Sequence, residues 1–123
     1  MNQKNLIHLG AVSGFLAVAL GAFGAHALKP HLIEAGTLAT WETGAQYHLI
    51  HSLAALLPWS LHGKGRASLA FLIGILIFSG SLYILSITGV KWLGAITPLG
   101  GVAFLTGWLL LFLNAGKQGK ENS

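Results

Sequence analysis

Six histidines, two tyrosines, three acidic residues and no cysteine make up the reactive repertoire of this 123-residue chain. Without cysteine there are no disulfides, thiolate metal sites or thiol nucleophiles, so any chemistry falls to imidazole, phenol and carboxylate. The second apolar stretch concentrates these groups. Glu42 and Gln46 lie one helical turn apart, Tyr47 and His51 do the same, and His48 to His51 is an i, i+3 step, so each pair shares a helix face. Counting inward from the segment ends brings His26, Tyr83, Ser81 and Thr97 to the same depth, which predicts one polar cluster with Glu42, Gln46, Tyr47 and His48, and with His51 deeper. In lipid a charged carboxylate near the bilayer centre costs about 2.5–3.5 kcal/mol on insertion scales. Glu42 is therefore expected at the interface, protonated, or paired, with His26 as its partner in an ion pair or a proton-sharing hydrogen bond. His51 is expected to be neutral and bonded through its ring nitrogens. The plainer expectation is that all these groups hold helices together, at about 0.6 kcal/mol per hydrogen bond. A histidine pair at this spacing with a third from another helix fits a metal, but no second carboxylate for a di-iron centre, no HExxH and no cysteine accompanies it. No metal, haem or other cofactor is expected, and no nucleophile–base pair suggests an enzyme. His8, His31 and His62 fall near segment ends or in loops. Gly63-Lys64-Gly65-Arg66 lacks phosphate-loop spacing and is expected to meet anionic headgroups.

The elements that must carry these residues follow from composition. Apolar residues make up 54% of the chain and charged ones 8%, against about 25% charged in an average soluble domain. The mean hydropathy is +0.70. A water-facing surface cannot be tiled from so few charges, so the chain is read as an integral membrane protein. Its +4 charge is spread singly between apolar runs, which argues against nucleic acid as a partner. Four stretches, 7–28, 38–57, 69–88 and 94–113, are each about the twenty residues that cross a hydrocarbon core. Lipid leaves open backbone groups without partners, so these runs must be helices. Their short connections force antiparallel neighbours, which gives an all-α, up-down-up-down four-helix bundle over residues 1–114 and a flexible cytoplasmic tail over 115–123.

Lys4, Lys64, Arg66, Lys117 and Lys120 share one side, while Lys29 and Lys91 lie on the other, which places both termini and the middle loop in the cytoplasm. Trp41, Trp59 and Trp92 fall at span ends, where indoles favour the interface. Lys4, the first apolar run and Ala25-His26-Ala27 have the outline of a secretory signal. The run exceeds the usual signal core of about 7 to 15 residues, so the segment is expected to stay as a helix.

Helix association inside lipid rests on close backbone approach and on hydrogen bonds. Gly10, Gly14, Ala17, Gly21 and Gly24 form a small-residue seam on the first span, with His8, Ala11, Phe15, Ala19, Ala22 and His26 on the opposite face. Gly80, Gly100 and Gly107 are the expected packing glycines of the later spans. Pro58 is expected to end or kink the second span. Thr97-Pro98 reads as a cap and first helical residue, preceded by non-helical backbone. With small faces on two sides of the first span, self-association into a homo-oligomer is expected.

Four motifs in order resemble one family: GAFGAH (Gly21 to His26), Tyr47-His48-x-x-His51, FSGSLY (Phe78 to Tyr83), and ITPLGG (Ile96 to Gly101) with Gly107-Trp108. It is the family of small four-helix membrane proteins known as domain of unknown function 423, which includes the eukaryotic transmembrane protein 256. The resemblance covers nearly the whole chain. It implies four membrane helices, a bacterial inner membrane and no established activity. It also marks Gly21, Gly24, His26, Tyr47, His51, Gly80, Tyr83, Pro98 and Gly100 as recurring positions. Together these readings lead to a non-enzymatic membrane module that engages a lipid, a small amphiphile or a membrane protein partner. The alternative is a proton-coupled or ligand-carrying site at the outer-half cluster.

Overall fold

Asn2 starts the first helix. Its side chain accepts the Asn5 N–H at 2.8 Å, satisfying one of the donors that a helix start leaves open, and α1 runs over Gln3–Ala25. The computed structural model describes the backbone of residues 1–121 and the side chains of residues 1–117, and every regular element among them is helical. The chain turns at His26, so α1 ends short of residue 28. The 29–37 connection contains a short helix, α2 (Lys29–Ala35), which Gly36 closes at φ 73° while the Thr37 N–H reaches the Leu32 carbonyl at 2.9 Å.

The next helix, α3 (Leu38–Ala55), ends where Pro58 requires: Leu57 is extended, and Pro58 opens the short α4 (Pro58–Leu61). Serines take the carbonyls this leaves open. Ser60 donates to the Ala54 carbonyl at 2.7 Å and Ser68 to that of Ala55 at 2.8 Å, and both serines are buried. The third span is α5 (Arg66–Gly74), a π-helical turn (Ile75–Ser79) and α6 (Gly80–Thr88). The backbone before Pro98, expected to be irregular, is a 3-10 turn over Lys91–Ala95, and α7 covers Thr97–Glu121. The Thr97 hydroxyl contacts Ser81 Oγ at 2.6 Å and donates to the Leu93 carbonyl at 3.3 Å. The expected tail from Ala115 begins within α7, and residues 122–123 lie outside the described residues.

Three helical stretches are long and apolar enough to cross a membrane: Gln3–Ala25, Arg66–Thr88 and Lys91–Lys117. The more polar α3 is not among them. Instead α1, α5, the π turn and α6 all pack on α3, and Trp41, Gly44, His48, His51 and Ser52 are buried along it.

Two antiparallel registers fix this packing. Along α1, Gly10, Gly14, Gly21 and Gly24 face Leu56, Ser52, Ala45 and Trp41 in descending order. A Cβ at Gly10 or Gly24 would run into the Leu56 or Trp41 side chain, whereas one at Gly14 or Gly21 would make ordinary contact at 3.9 and 4.0 Å. Between the third span and α7, Phe71, Gly74 and Phe78 face Gly107, Phe104 and Gly100, so each helix lends a glycine to the other's ring. Gly80 meets nothing within 4 Å and is not a packing glycine in this structure, while Gly44 is a close-contact position the spacing did not single out. Trp41 departs from its expected interfacial place. It is 2% exposed, and its indole donates to the Leu20 carbonyl at 2.9 Å. Trp59 and Trp92 are exposed.

Because a Cβ at Gly100 would strike the Phe78 backbone, Gly100→Ala is expected to cost about 1–3 kcal/mol of overpacking. Gly80→Ala should be neutral or stabilising by up to about 1 kcal/mol, through the helix propensity of alanine. Far-UV circular dichroism during dodecyl sulfate titration of mixed micelles measures both.

Candidate functional site

The α3 face that carries Trp41, Gly44, His48 and Ser52 follows helical spacing, so its polar members emerge against α1 on one side and the third span on the other. With the His48 ring neutral, proton counting fixes every direction in the network there. Ser52 donates to the His48 carbonyl at 2.7 Å, which uses its one proton. Ser13 must then be the donor across the 2.6 Å Ser13–Ser52 contact. The 3.1 Å bond between Ser13 Oγ and His48 Nε2 therefore carries the imidazole proton, and His48 Nδ1 accepts from the Tyr83 hydroxyl at 2.9 Å. The chain runs Tyr83, His48, Ser13, Ser52 and closes on the carbonyl of His48 itself. Tyr83 is set by Trp41, whose ring centroid lies 4.6 Å away, and by Gly44, where a Cβ would come within 3.3 Å of the phenol ring.

One turn further, His51 points to α7 with the opposite tautomer. An indole N–H only donates, so Trp108 Nε1, 3.1 Å away, makes His51 Nε2 the acceptor. The ring proton is then on Nδ1, which donates to the Tyr47 carbonyl at 2.8 Å. Phe104 stacks on this ring with centroids 3.7 Å apart and an 11° interplanar angle. His51 is thus neutral and bonded through both nitrogens in this arrangement, and a second ring proton would confront the indole N–H.

The expected single cluster is divided. His48 and Tyr83 come together, His51 belongs to a separate aromatic site, and Thr97 pairs with Ser81. Tyr47 is 40% exposed and packs on Phe78 and His51. His26 and Glu42 do not meet: both are exposed, and no hydrogen bond or ion pair joins them among the described residues. The reason is angular. Glu42 lies about 120° around α3 from His48 at 100° per residue, and Gln46 is also on the exposed side. Ser13, Ser52, Ser79 and Trp108 were missed because a serine beside a glycine seam, or a tryptophan in mid-span, carries no spacing signal of its own. Among the described residues no three His, Asp or Glu side chains converge as a metal would need.

A lateral groove of about 340 Å³ opens between α1, α3 and the third span, and Leu9, Val12, Leu16, Leu20, Leu72 and Leu76 supply much of its wall. Ser13, His48, Ser79 and Tyr83 line one side, with their polar atoms turned to the bonds above, and Ser79 donates to the Gly44 carbonyl at 2.7 Å. Gly80 also lines it, and its missing side chain leaves the groove open. A second hollow, of about 370 Å³, lies on the other side of α3, beside Tyr47, His51, Pro98 and Trp108.

The family described as Protein of unknown function (DUF423) matches residues 20–101, in agreement with the four motifs. The chain is 48% identical to the UPF0382 membrane protein YwdK of Bacillus subtilis over 94% of its own length and 98% of that protein. It is 45% identical to a UPF0382 membrane protein of Haemophilus influenzae, over 94% and 97% of the two chains. It is 37% identical to the UPF0382 inner membrane protein YgdD of Escherichia coli, over 94% and 92%. No solved structure matches it.

Nitrogen-15 spectra of histidine-labelled protein in lipid are expected to show two neutral rings of opposite tautomer, the His48 proton on Nε2 and the His51 proton on Nδ1. Tyr83→Phe and Trp108→Phe should each cost about 0.6–1.7 kcal/mol, the range of hydrogen bonds inside membranes. In the same dodecyl sulfate titration, His26→Ala and Glu42→Gln should stay within about 0.5 kcal/mol of the parent.

Proposed function

Because the chain belongs to the membrane-protein family described as Protein of unknown function (DUF423), we propose that it is a non-enzymatic membrane module whose lateral groove holds the hydrocarbon chain of a lipid or small amphiphile. The observation that carries this reading is the groove itself. Its volume of about 340 Å³ lies at the low end of the about 300–1,000 Å³ of ligand pockets, and its wall is mostly leucine, isoleucine and valine. The polar side chains beside it are already bonded to one another, so they add rigidity without demanding a polar guest. For proton carriage the same network offers little, since its donors close on the carbonyl of His48 instead of leading to a further acceptor.

In this reading α3 crosses the bilayer with the other three spans as one antiparallel bundle. Support comes from the neighbours that enclose its polar face and from its antiparallel register with α1. The bacterial inner membrane is the proposed location, by likeness to YgdD. The basic residues support cytoplasmic termini. Glu42 and Gln46 lie exposed on the outer side of α3, and a second copy covering them would spare them from acyl chains.

A phosphatidylcholine carrying a diazirine in one acyl chain tests the groove. Photolysis in nanodiscs should label peptides from α1 and α6, and Gly80→Leu, which fills the groove, should remove that labelling while the helical spectrum is kept. Unchanged labelling in Gly80→Leu sinks the groove reading. Crosslinking in native membranes should yield dimers or larger species, and monomer alone would defeat the proposed self-association.

A further inference from the structure

The connection between α4 and α5 reads Leu61-His62-Gly63-Lys64-Gly65-Arg66, and two of its residues are left-handed: Gly63 at φ 64° and Gly65 at φ 67°. These two reversals curl the chain tightly. Gly65 is pressed onto Leu6 of α1, where any Cβ would strike the leucine side chain, so the loop is seated on the bundle. From that seat α5 starts at Arg66 without a side-chain cap on its first N–H groups. Across from it, Asn114 of α7 donates to the Trp59 carbonyl at 2.9 Å and fastens the end of α7 to α4.

Between these pieces lies a hollow of about 230 Å³, with Lys64, Arg66 and Lys117 on its walls, Leu110 on its apolar side, and Asn114 and His62 completing it. Three cations from two separate parts of the chain thus surround one space. Among the described residues no carboxylate is paired with any of them. Their convergence is unfavourable on its own and is relieved by an anion. Arg66 is the first residue of the span Arg66–Thr88 and Lys117 the last of the span Lys91–Lys117, so both stand at the same membrane boundary. Phospholipid phosphates lie at that level. We propose that this hollow is a binding site for the phosphate headgroup of an anionic phospholipid, held by Lys64, Arg66 and Lys117 and by the uncapped start of α5. The site shares no lining residue with the hydrocarbon groove and does not depend on it.

Native mass spectrometry of the full chain, released from detergent with acyl-matched phosphatidylglycerol or phosphatidylcholine, tests the assignment. The parent protein is expected to prefer phosphatidylglycerol, and Arg66→Gln and Lys117→Gln each to lose about fivefold in affinity for it, the scale of one basic residue near an anionic surface. These single changes at exposed side chains leave most of the basic charge that orients insertion, and circular dichroism checks that the helices persist. Lys29→Gln and Lys91→Gln, at the other ends of the helices, should keep the preference, as should Gly80→Leu, which tests the groove alone. Equal losses in the Lys29 and Lys91 variants, or none in the Arg66 and Lys117 variants, overturn the proposal. Excess inorganic phosphate should leave lipid binding intact. Displacement of the lipid by phosphate would make this a soluble-anion site and overturn the lipid assignment.

Discussion

A bilayer offers no water to a polar group, so each one must find its partner inside the protein. Among the described helices α3 carries the greatest load of polar side chains, and its neighbours meet those on its buried face, while Glu42 and Gln46 stay exposed. Ser13 of α1 and Tyr83 of α6 bond His48, and Trp108 of α7 bonds His51. Ser79 bonds the Gly44 carbonyl, while Ser60 and Ser68 take the carbonyls at the end of α3. The buried face of α3, which is not among the long apolar stretches, is thereby covered by the three that are. Among the described residues the fully buried hydroxyls are serines, which combine a proton donor with small volume, so they satisfy a carbonyl without holding the backbones apart.

Close approach is the other half of the same requirement. The hydrogen bonds that serve α3 are short, and they form only if the helices come near enough for a serine to reach. Gly10 and Gly24 admit Leu56 and Trp41, which brings α1 against α3. Gly107, Gly74 and Gly100 admit Phe71, Phe104 and the Phe78 backbone, which brings α7 against the third span. The ring of Phe104 in turn stacks on His51, so the seating of a phenylalanine in a glycine notch and the orientation of a histidine are one event. At Gly24 and Gly74 packing and polar satisfaction are not separate contributions, since the Trp41 ring seated at one donates to the Leu20 carbonyl and the Phe104 ring seated at the other stacks on His51.

How much of this was legible in the sequence depends on the range of the signal. Pro58, Gly36 and the α1 glycine seam act locally or repeat along one helix, and the structure uses each of them, with Gly14 and Gly21 in looser contact than Gly10 and Gly24. Depth counting also brought His48 and Tyr83 together correctly. It failed for His26 and Glu42 because depth is one coordinate and rotation about the helix axis is the other. Two residues at one level on different faces never meet, and α1 had already turned at His26. Trp41 was misplaced for a related reason: indoles favour interfaces in general, but Gly24 leaves a notch that fits this one, and the Leu20 carbonyl takes its proton. The partners Ser13 and Ser52 are adjacent because Gly10 and Gly24 let two helices touch, a relation between distant parts of the chain that no spacing within one segment records.

The third span serves two neighbours. α5 and the π turn pack on α3 and also on α7, the latter through Phe71, Gly74 and Phe78, whereas α6 turns Tyr83 and Ser86 toward α3 and the loop before it. Helical geometry keeps one face pointing one way, at 100° per residue, so a change of face along one span needs a change in the winding. The wider turn at Ile75–Ser79 adds a residue to the circuit and rotates α6 relative to α5, so Ser79 arrives at the Gly44 carbonyl and Tyr83 at His48. The groove is a product of the same rotation. Gly80 comes round to the space between α1 and α3 with no side chain to fill it, directly after the π turn.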